Sequence, residues 1–233
     1  MDEPSPPRTS VTQRAIDSVK SMIAGGVLHA GDRLPTEREL AAELGISRNS
    51  MREAIRALTV LGILETKHGS GIYVTQLDAA SLLETFGVVA DLSQGTQLME
   101  LLEVRKVLES HATALAAARI DDRQLKAVSD LLKEMEETEE PEEALRLDLM
   151  FHRAIVAACG NPTLAALLDG LSTNTFRARA WRGIQEEGAF ARTRREHASV
   201  YRALAARDPE AARTAAAAHV GEVENWLRSQ LSR

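Results

Sequence analysis

The chain has 233 residues, 44% of them hydrophobic and 27% charged, with a formal net charge of −6. That length allows two modest domains with real cores, no apolar run approaches the roughly 18 to 20 residues needed to span a bilayer, and "MDEPSPPRTS" lacks the apolar region of a signal peptide. The expected setting is therefore cytoplasmic, and the single cysteine, Cys159 in "AIVAACG", excludes an internal disulfide and reads as a small buried hydrophobe.

Residues 1–10, rich in Pro and Ser, are expected to form a disordered arm. Val11, Ala15, Ile16, Val19, Met22 and Ile23 recur at helical spacing until Gly25 and Gly26, which predicts a first helix. In "LPTERELAAELG" Thr36 and Glu39 form a capping box that opens a short second helix, and Gly45 suits the left-handed residue that ends it. Ser47 then caps a third helix running through Leu61. "ILET" and "GIYVT", joined by "KHGS", read as a hairpin. Residues 11–76 thus predict a winged helix-turn-helix with a small β-hairpin wing.

From 77 to 233 the strand signals disappear. Helices are expected over about 79–91, 96–119, 121–138, 141–159, 162–182, 187–207 and 209–231, with Pro141, Pro162 and Pro209 suited to first helical turns. The fold class is mainly α, the second domain an all-α bundle of six or seven helices. "EMEETEEPEE" reads as a solvated junction between two of them.

The charge is unevenly placed. Residues 1–76 carry nine Lys or Arg and nine Asp or Glu, so the whole excess of acid belongs to the helical part. A polyanion would therefore meet a local cluster in the first domain. Arg48, Arg52 and Arg56 lie near one face of the third helix, the first two in the half that enters the major groove in helix-turn-helix proteins. A guanidinium fork can bond guanine O6 and N7 or grip a phosphate. Arg38 would sit near the phosphate backbone, and Lys67, His68 and the Gly69 amide at the wing tip. A solvated face with Arg52 and Arg56 screened by Glu53 is the competing reading of the arginines alone; the capped helix, Gly turn and hairpin around them favour DNA. Arg56, eight positions in, is the weakest member.

"GDRLPTERELAAELGISRNSMREAIRALTVLGILETKHGSGIYV" resembles the DNA-binding domain of GntR-family bacterial transcription regulators, and "LPTEREL" with "SRNSMREAIRAL" resembles its FadR subfamily. The resemblance implies DNA contacts by Arg38, Arg48, Arg52, His68 and Gly69, with Arg56 outside the set.

In the helical part, Asp148 and His152 lie four apart on one helix face, and His197 and His219 fall on the last two helices. Three imidazoles and a carboxylate suit a zinc-like divalent ion. Spacing alone does not decide for it, since scattered histidines are more often ordinary core or surface groups. Glu196 points roughly 100° away from His197 and no HExxH is present, so no metallohydrolase base is evident. "LLEVRKVLESHATALAA", "DLMFHRAIVAACGNP" and "REHASVYRALAARDPEAARTAAAAHV" resemble the FadR-subfamily effector domain (FCD domain). That resemblance implies a metal site of Asp148, His152, His197 and His219, with zinc first and nickel or manganese as alternatives, at the floor of a ligand pocket. It also implies that Arg105 faces the effector's carboxylate; the competing reading is a helix-surface ion pair of Arg105 with Glu109. The expectation is a non-enzymatic, ligand-responsive repressor, a homodimer on a two-fold DNA operator, released by a small hydroxy, keto or sugar acid, cytoplasmic and nucleoid-associated when bound. A metal-dependent enzyme and a constitutive DNA-binding protein with a structural metal are the other two classes.

Overall fold

The structure, a computed structural model, describes residues 10–77, 96–138, 140–186 and 188–231, apart from scattered side chains in 173–184 and that of Thr96. The expected arm over residues 1–9 and the helix expected over 79–91 lie outside the described residues. Contacts divide the chain into two compact units, Met1–Thr85 and Phe86–Arg233.

In the first unit, α1 (Val11–Ala24), α2 (Glu37–Glu43) and α3 (Arg48–Val60) are followed by β1 (Leu64–Lys67) and β2 (Gly71–Val74). Ser10 is the N-cap of α1 and not part of an arm, because its Oγ accepts the Gln13 amide at 3.0 Å. The capping box of α2 is formed: the Thr36 amide donates to Glu39 Oε2 at 2.8 Å, and the Glu39 amide donates to Thr36 Oγ1 at 3.3 Å. Gly45 takes φ +62 between α2 and α3, where a side chain would be strained. Ser47 Oγ accepts the Ser50 amide at 3.1 Å and starts α3.

Met51, Ala54, Ile55 and Leu58 recur at helical spacing along α3 and bury its inner face against Ala15, Val19, Leu40 and Leu64. Burial of each larger side chain contributes about 1.5 to 3 kcal/mol. β1 and β2 pair antiparallel from Leu64 opposite Val74 to Lys67 opposite Gly71. An isolated bridge also ties the segment before α2 to the wing, a contact that period-2 patterning over three residues does not reveal. Arg33 bridges Tyr73, the Leu34 amide donates to the Ile72 carbonyl at 2.8 Å, and the Val74 amide donates to the Asp32 carbonyl at 2.9 Å.

The second unit has six helices among the described residues: α4 (Thr96–Arg119), α5 (Asp122–Glu137), α6 (Pro141–Ala157), α7 (Pro162–Gln185), α8 (Ala189–Ala205) and α9 (Pro209–Leu231). The starts of α5, α6, α7 and α9 have local causes. Asp121 and Gln124 form a capping box, Asn161 Oδ1 accepts the Leu164 amide, Asp208 Oδ1 accepts the amides of Glu210 and Ala211, and prolines open α6, α7 and α9. α4 is the central helix and packs against α6, α7, α8 and α9. Ala112, Ala116, Phe151, Leu168, Leu204 and Ala212 are among the core residues, and Cys159 is buried with them as a free thiol. Glu134, Glu136, Glu137 and Glu140 are exposed at the α5–α6 junction while Met135 turns inward, so the acidic run is a solvated connection. No helix among the described residues is long and apolar enough to cross a membrane.

Candidate functional site

On the first unit, Arg38 and Arg48 are exposed and form no ion pair among the described residues. Arg52 is exposed one turn beyond Arg48, with its Nε donating to Glu37 Oε2 at 3.0 Å. Arg56 is paired with Glu53 at 3.0 Å, the screened arrangement that the sequence allowed for it. His68 and Gly69 are exposed at the wing tip, Gly69 at φ +71. Arg33 is a further exposed cation: its guanidinium lies across Gly71, where an added Cβ would meet Nε at 2.8 Å. Lys67 Nζ stands 4.6 Å from the centroid of the Tyr73 ring on the same outer face of the wing.

In the second unit Asp148 and His152 of α6, His197 of α8 and His219 of α9 are all buried, and one ligand atom from each lies within 4.8 Å of the others. Two carboxylates fix the rings. His152 Nδ1 is 2.5 Å from Glu109 Oε1 on α4, and His219 Nδ1 is 2.8 Å from Glu196 Oε2 on α8. Both rings therefore turn Nε2 inward, and these two atoms are 3.2 Å apart. His197 Nε2 lies 3.4 Å from Asp148 Oδ1, out of line for a hydrogen bond, so both nitrogens of this fully buried ring lack a hydrogen-bond partner among the described residues.

That orphaned imidazole tests whether the residues fit a metal. A buried polar group without a partner costs about 1 to 3 kcal/mol, a penalty a metal–nitrogen bond removes. Zinc ligands about 2.0 to 2.2 Å from the ion stand at most about 4.4 Å apart, so the 4.8 Å spread is a small side-chain rotation from closure. Electrostatics agree. Burial, and then the neighbouring His152, pull His219 down to about 3, and burial with His219 likewise lowers His197 well below the usual range; both stand neutral, as ligands must. Burial alone would raise Asp148, but the Arg179 guanidinium paired with it and the neighbouring histidines hold it well below the usual carboxylate range. Burial would also lower His152; the charges of Glu109 and Asp148 outweigh that and raise it.

Arg105 sits beneath this cluster, 1% exposed. Its pair with Glu109 is formed, Nε to Oε2 at 2.7 Å, but it is buried instead of lying on a helix surface. Nη1 donates to Thr175 Oγ1 at 2.8 Å, and Nη2 is buried without a partner among the described residues. Glu109 thus joins Arg105 to His152. Sequence reasoning gave roles to neither Glu109 nor Glu196, because what they do depends on contacts between helices; the only local signal was the four-residue step from Arg105 to Glu109.

A cavity with about 520 Å³ of space free of protein atoms, part of it open solvent, lies against Asp148 and His219. Leu145, Ala189, Phe190 and Val223 form apolar wall, and Arg179, Arg182 and Arg194 supply its other charged lining.

A DNA-binding winged helix-turn-helix and a helical unit with a buried Asp/His cluster beside a cavity define a two-part regulator. The comparisons agree. Residues 11–74 match the description "Bacterial regulatory proteins, gntR family", and residues 100–222 match "FCD domain". The chain is 32% identical over 212 residues to the transcriptional regulator LutR of Bacillus subtilis, covering 88% of this chain and 96% of that one. It is 31% identical to the Exu regulon transcriptional regulator of Escherichia coli (97% and 87% covered) and 29% identical to the Glc operon transcriptional activator of that organism (94% and 90%). Among solved structures, a GntR protein of Streptococcus agalactiae superposes with a TM-score of 0.61 at 26% identity, covering 92% of this chain and 99% of that one. The chain belongs to the GntR family of bacterial regulatory proteins, with an FCD domain following its DNA-binding domain, and is a DNA-binding transcription regulator and not an enzyme. Regulators of this family bind operator DNA and usually dimerise.

Proposed function

We propose that the chain is a ligand-responsive repressor that leaves a two-fold operator when a small carboxylate binds over a metal ion in its FCD domain. The observation that carries this is the convergence of Asp148, His152, His197 and His219 on one buried point beside an arginine-lined cavity. These four residues hold the metal, zinc first by donor set, and the metal supplies a Lewis acid for one end of the effector. Glu109 and Glu196 fix the ring orientations of His152 and His219. Arg105 braces Glu109 and keeps Nη2 for an effector oxygen.

On the DNA side, Arg48 and Arg52 of α3 read the major groove, Arg38 holds a phosphate, and His68 with the Gly69 amide meets the minor groove or its backbone. One chain carries one recognition helix, so a two-fold operator calls for a homodimer. The regulator acts in the cytoplasm and joins the nucleoid when bound. Effector binding shifts operator affinity only through differential affinity for two states, typically a coupling of about 1 to 3 kcal/mol.

The test is operator release: fluorescence anisotropy of a DNA fragment from upstream of its own gene, bound by zinc-loaded protein, titrated with hydroxy, keto and sugar acids. A fivefold or greater loss of affinity with one acid, abolished by His197→Ala, is expected. Unchanged affinity with every acid leaves a constitutive DNA-binding protein. One relative, the Glc operon regulator of Escherichia coli, is a transcriptional activator, which gives the second reading, for which a reporter behind the operator would rise when the acid is added.

A further inference from the structure

We propose that the effector has two acidic groups and that Arg182 recognises the second. This rests on the effector reading above, in which the first acidic group lies over the metal. Arg182 of α7 is 3% exposed and lines the cavity that Asp148 and His219 also line. Its Nε donates to Glu186 Oε2 at 2.7 Å, yet Nη1 is buried with no hydrogen-bond partner among the described residues. A buried guanidinium nitrogen left without an acceptor is costly, and an anion is the acceptor a guanidinium fork fits best.

The other charges around the cavity show why Arg182 is the group free to act. The Arg179 guanidinium is held by Asp148, which also belongs to the metal cluster. Glu186 is shared, since its Oε1 lies 2.5 Å from Arg192 Nη2, so it does not neutralise Arg182 alone. Glu196 is divided between His219 Nδ1, 2.8 Å from its Oε2, and the nearby charge of Arg182. Arg194 donates to the Thr138 carbonyl at 3.2 Å and to the Glu136 carbonyl at 3.4 Å, neither of which cancels its charge. Among the described residues that line the cavity, the guanidinium groups of Arg179, Arg182 and Arg194 outnumber the one carboxylate, Asp148, before any metal is counted. A divalent ion adds to that positive charge.

Helix geometry sets the ligand's length. Arg182 stands three residues beyond Arg179, about 4.5 Å of helix rise from the side chain that holds Asp148. The matching ligand is a short diacid with about two to four carbons between its acidic groups, or a phosphate ester of a short acid. The apolar stretch of Leu145, Phe190 and Val223 leaves its middle with little to hydrogen-bond.

Calorimetry on the zinc-loaded full chain tests this, with succinate, glutarate, L-malate and phosphoglycolate against butyrate and 3-hydroxybutyrate. Wild type should bind at least one doubly acidic probe ten- to a hundredfold more tightly than its singly acidic counterpart, the range a charged hydrogen bond spans. Phosphoglycolate alone passing would assign Arg182 to a phosphate; a dicarboxylate passing would assign it to a carboxylate. Arg182→Gln should bring the two classes to within about threefold while singly acidic binding and zinc content stay as in wild type, and Arg182→Lys should restore part of the preference. Equal affinity for both classes in wild type overturns the proposal even if Arg182→Gln fails to fold. A preference retained in folded Arg182→Gln overturns it too. Binding of no acid of either class overturns the effector reading itself.

Discussion

Glu109→Gln is the most informative single change, because Glu109 joins two charged partners in the dry centre of the second unit. Its Oε1 lies 2.5 Å from His152 Nδ1, and its Oε2 accepts from Arg105 Nε at 2.7 Å. Burial would raise this carboxyl, but Arg105 and His152 hold it well below the usual range, so it is ionised and both bonds are charge-assisted. Glutamine keeps the shape and one carbonyl oxygen. It can therefore satisfy one partner but presents an NH₂ group to the other, beside a guanidinium that has lost its counter-charge. Losing one charged hydrogen bond costs about 1.5 to 3 kcal/mol, and leaving a buried charge unpaired brings losses to about 3 to 5 kcal/mol. We expect about 2 to 4 kcal/mol, a large fraction of the 5 to 15 kcal/mol that holds a typical domain. The His152 ring also loses the charged acceptor that directs Nε2 to the cluster, which should weaken zinc about 10- to 100-fold. Urea unfolding of chelator-treated protein measures the first quantity, and zinc competition with a chromophoric chelator the second. Stability within about 0.5 kcal/mol of wild type, below any buried-charge loss, together with unchanged zinc affinity, would show that Glu109 does not position His152.

Three other changes probe separate parts of the molecule. Arg52→Ala should abolish specific operator binding while leaving the chain folded and the oligomer intact by light scattering; wild-type operator affinity would mean that α3 does not present Arg52 to the bases. Gly71→Ala should destabilise the wing by about 1 to 3 kcal/mol, since φ is +123 and the added Cβ would meet Arg33 Nε at 2.8 Å; an unaltered melting temperature of the first unit refutes that packing. For metal-free protein, His219 has a folded value of about 3 against about 6.5 unfolded, so its contribution is complete above 6.5 and is lost as the pH falls below that. At pH 5.5 the loss is about 1.4 kcal/mol relative to pH 8. His197 acts in the same direction and His152 in the opposite one. Urea midpoints at the two pH values should show lower stability in acid and a smaller difference in His219→Gln; no smaller difference would mean the imidazole is not held neutral by burial.

What was legible in the sequence was what is decided locally. The Thr36–Glu39 box, the left-handed Gly45, the Ser47 cap and the prolines opening α6, α7 and α9 each act within a few residues, so the chain order of these elements could be read directly. The Asp148–His152 step was visible because one helix carries both residues. Glu196 was rightly placed off the face of its neighbour His197, but its destination on His219 depends on how α8 meets α9. Arg182 gave no sign at all, since an unmatched nitrogen exists only once the surrounding helices exclude water. The bridge from Asp32–Leu34 to the wing was hidden because the segment is too short for a pattern and is defined by its hydrogen bonds to β2.

The pair between Arg52 and Glu37 has a consequence for how the protein searches DNA. Arg48 can exchange its mobile counterions for a phosphate anywhere on a genome. Arg52 already carries a counterion that cannot diffuse away, so an exchange with phosphate leaves Glu37 uncompensated beside a polyanion. Only a site that offers Arg52 two well-placed acceptors repays that exchange. The free protein should therefore bind random DNA as though it had one arginine fewer. Replacing Arg48 should flatten the dependence of affinity on salt by about one ion, whereas replacing Arg52 should lower specific affinity and leave the slope nearly unchanged.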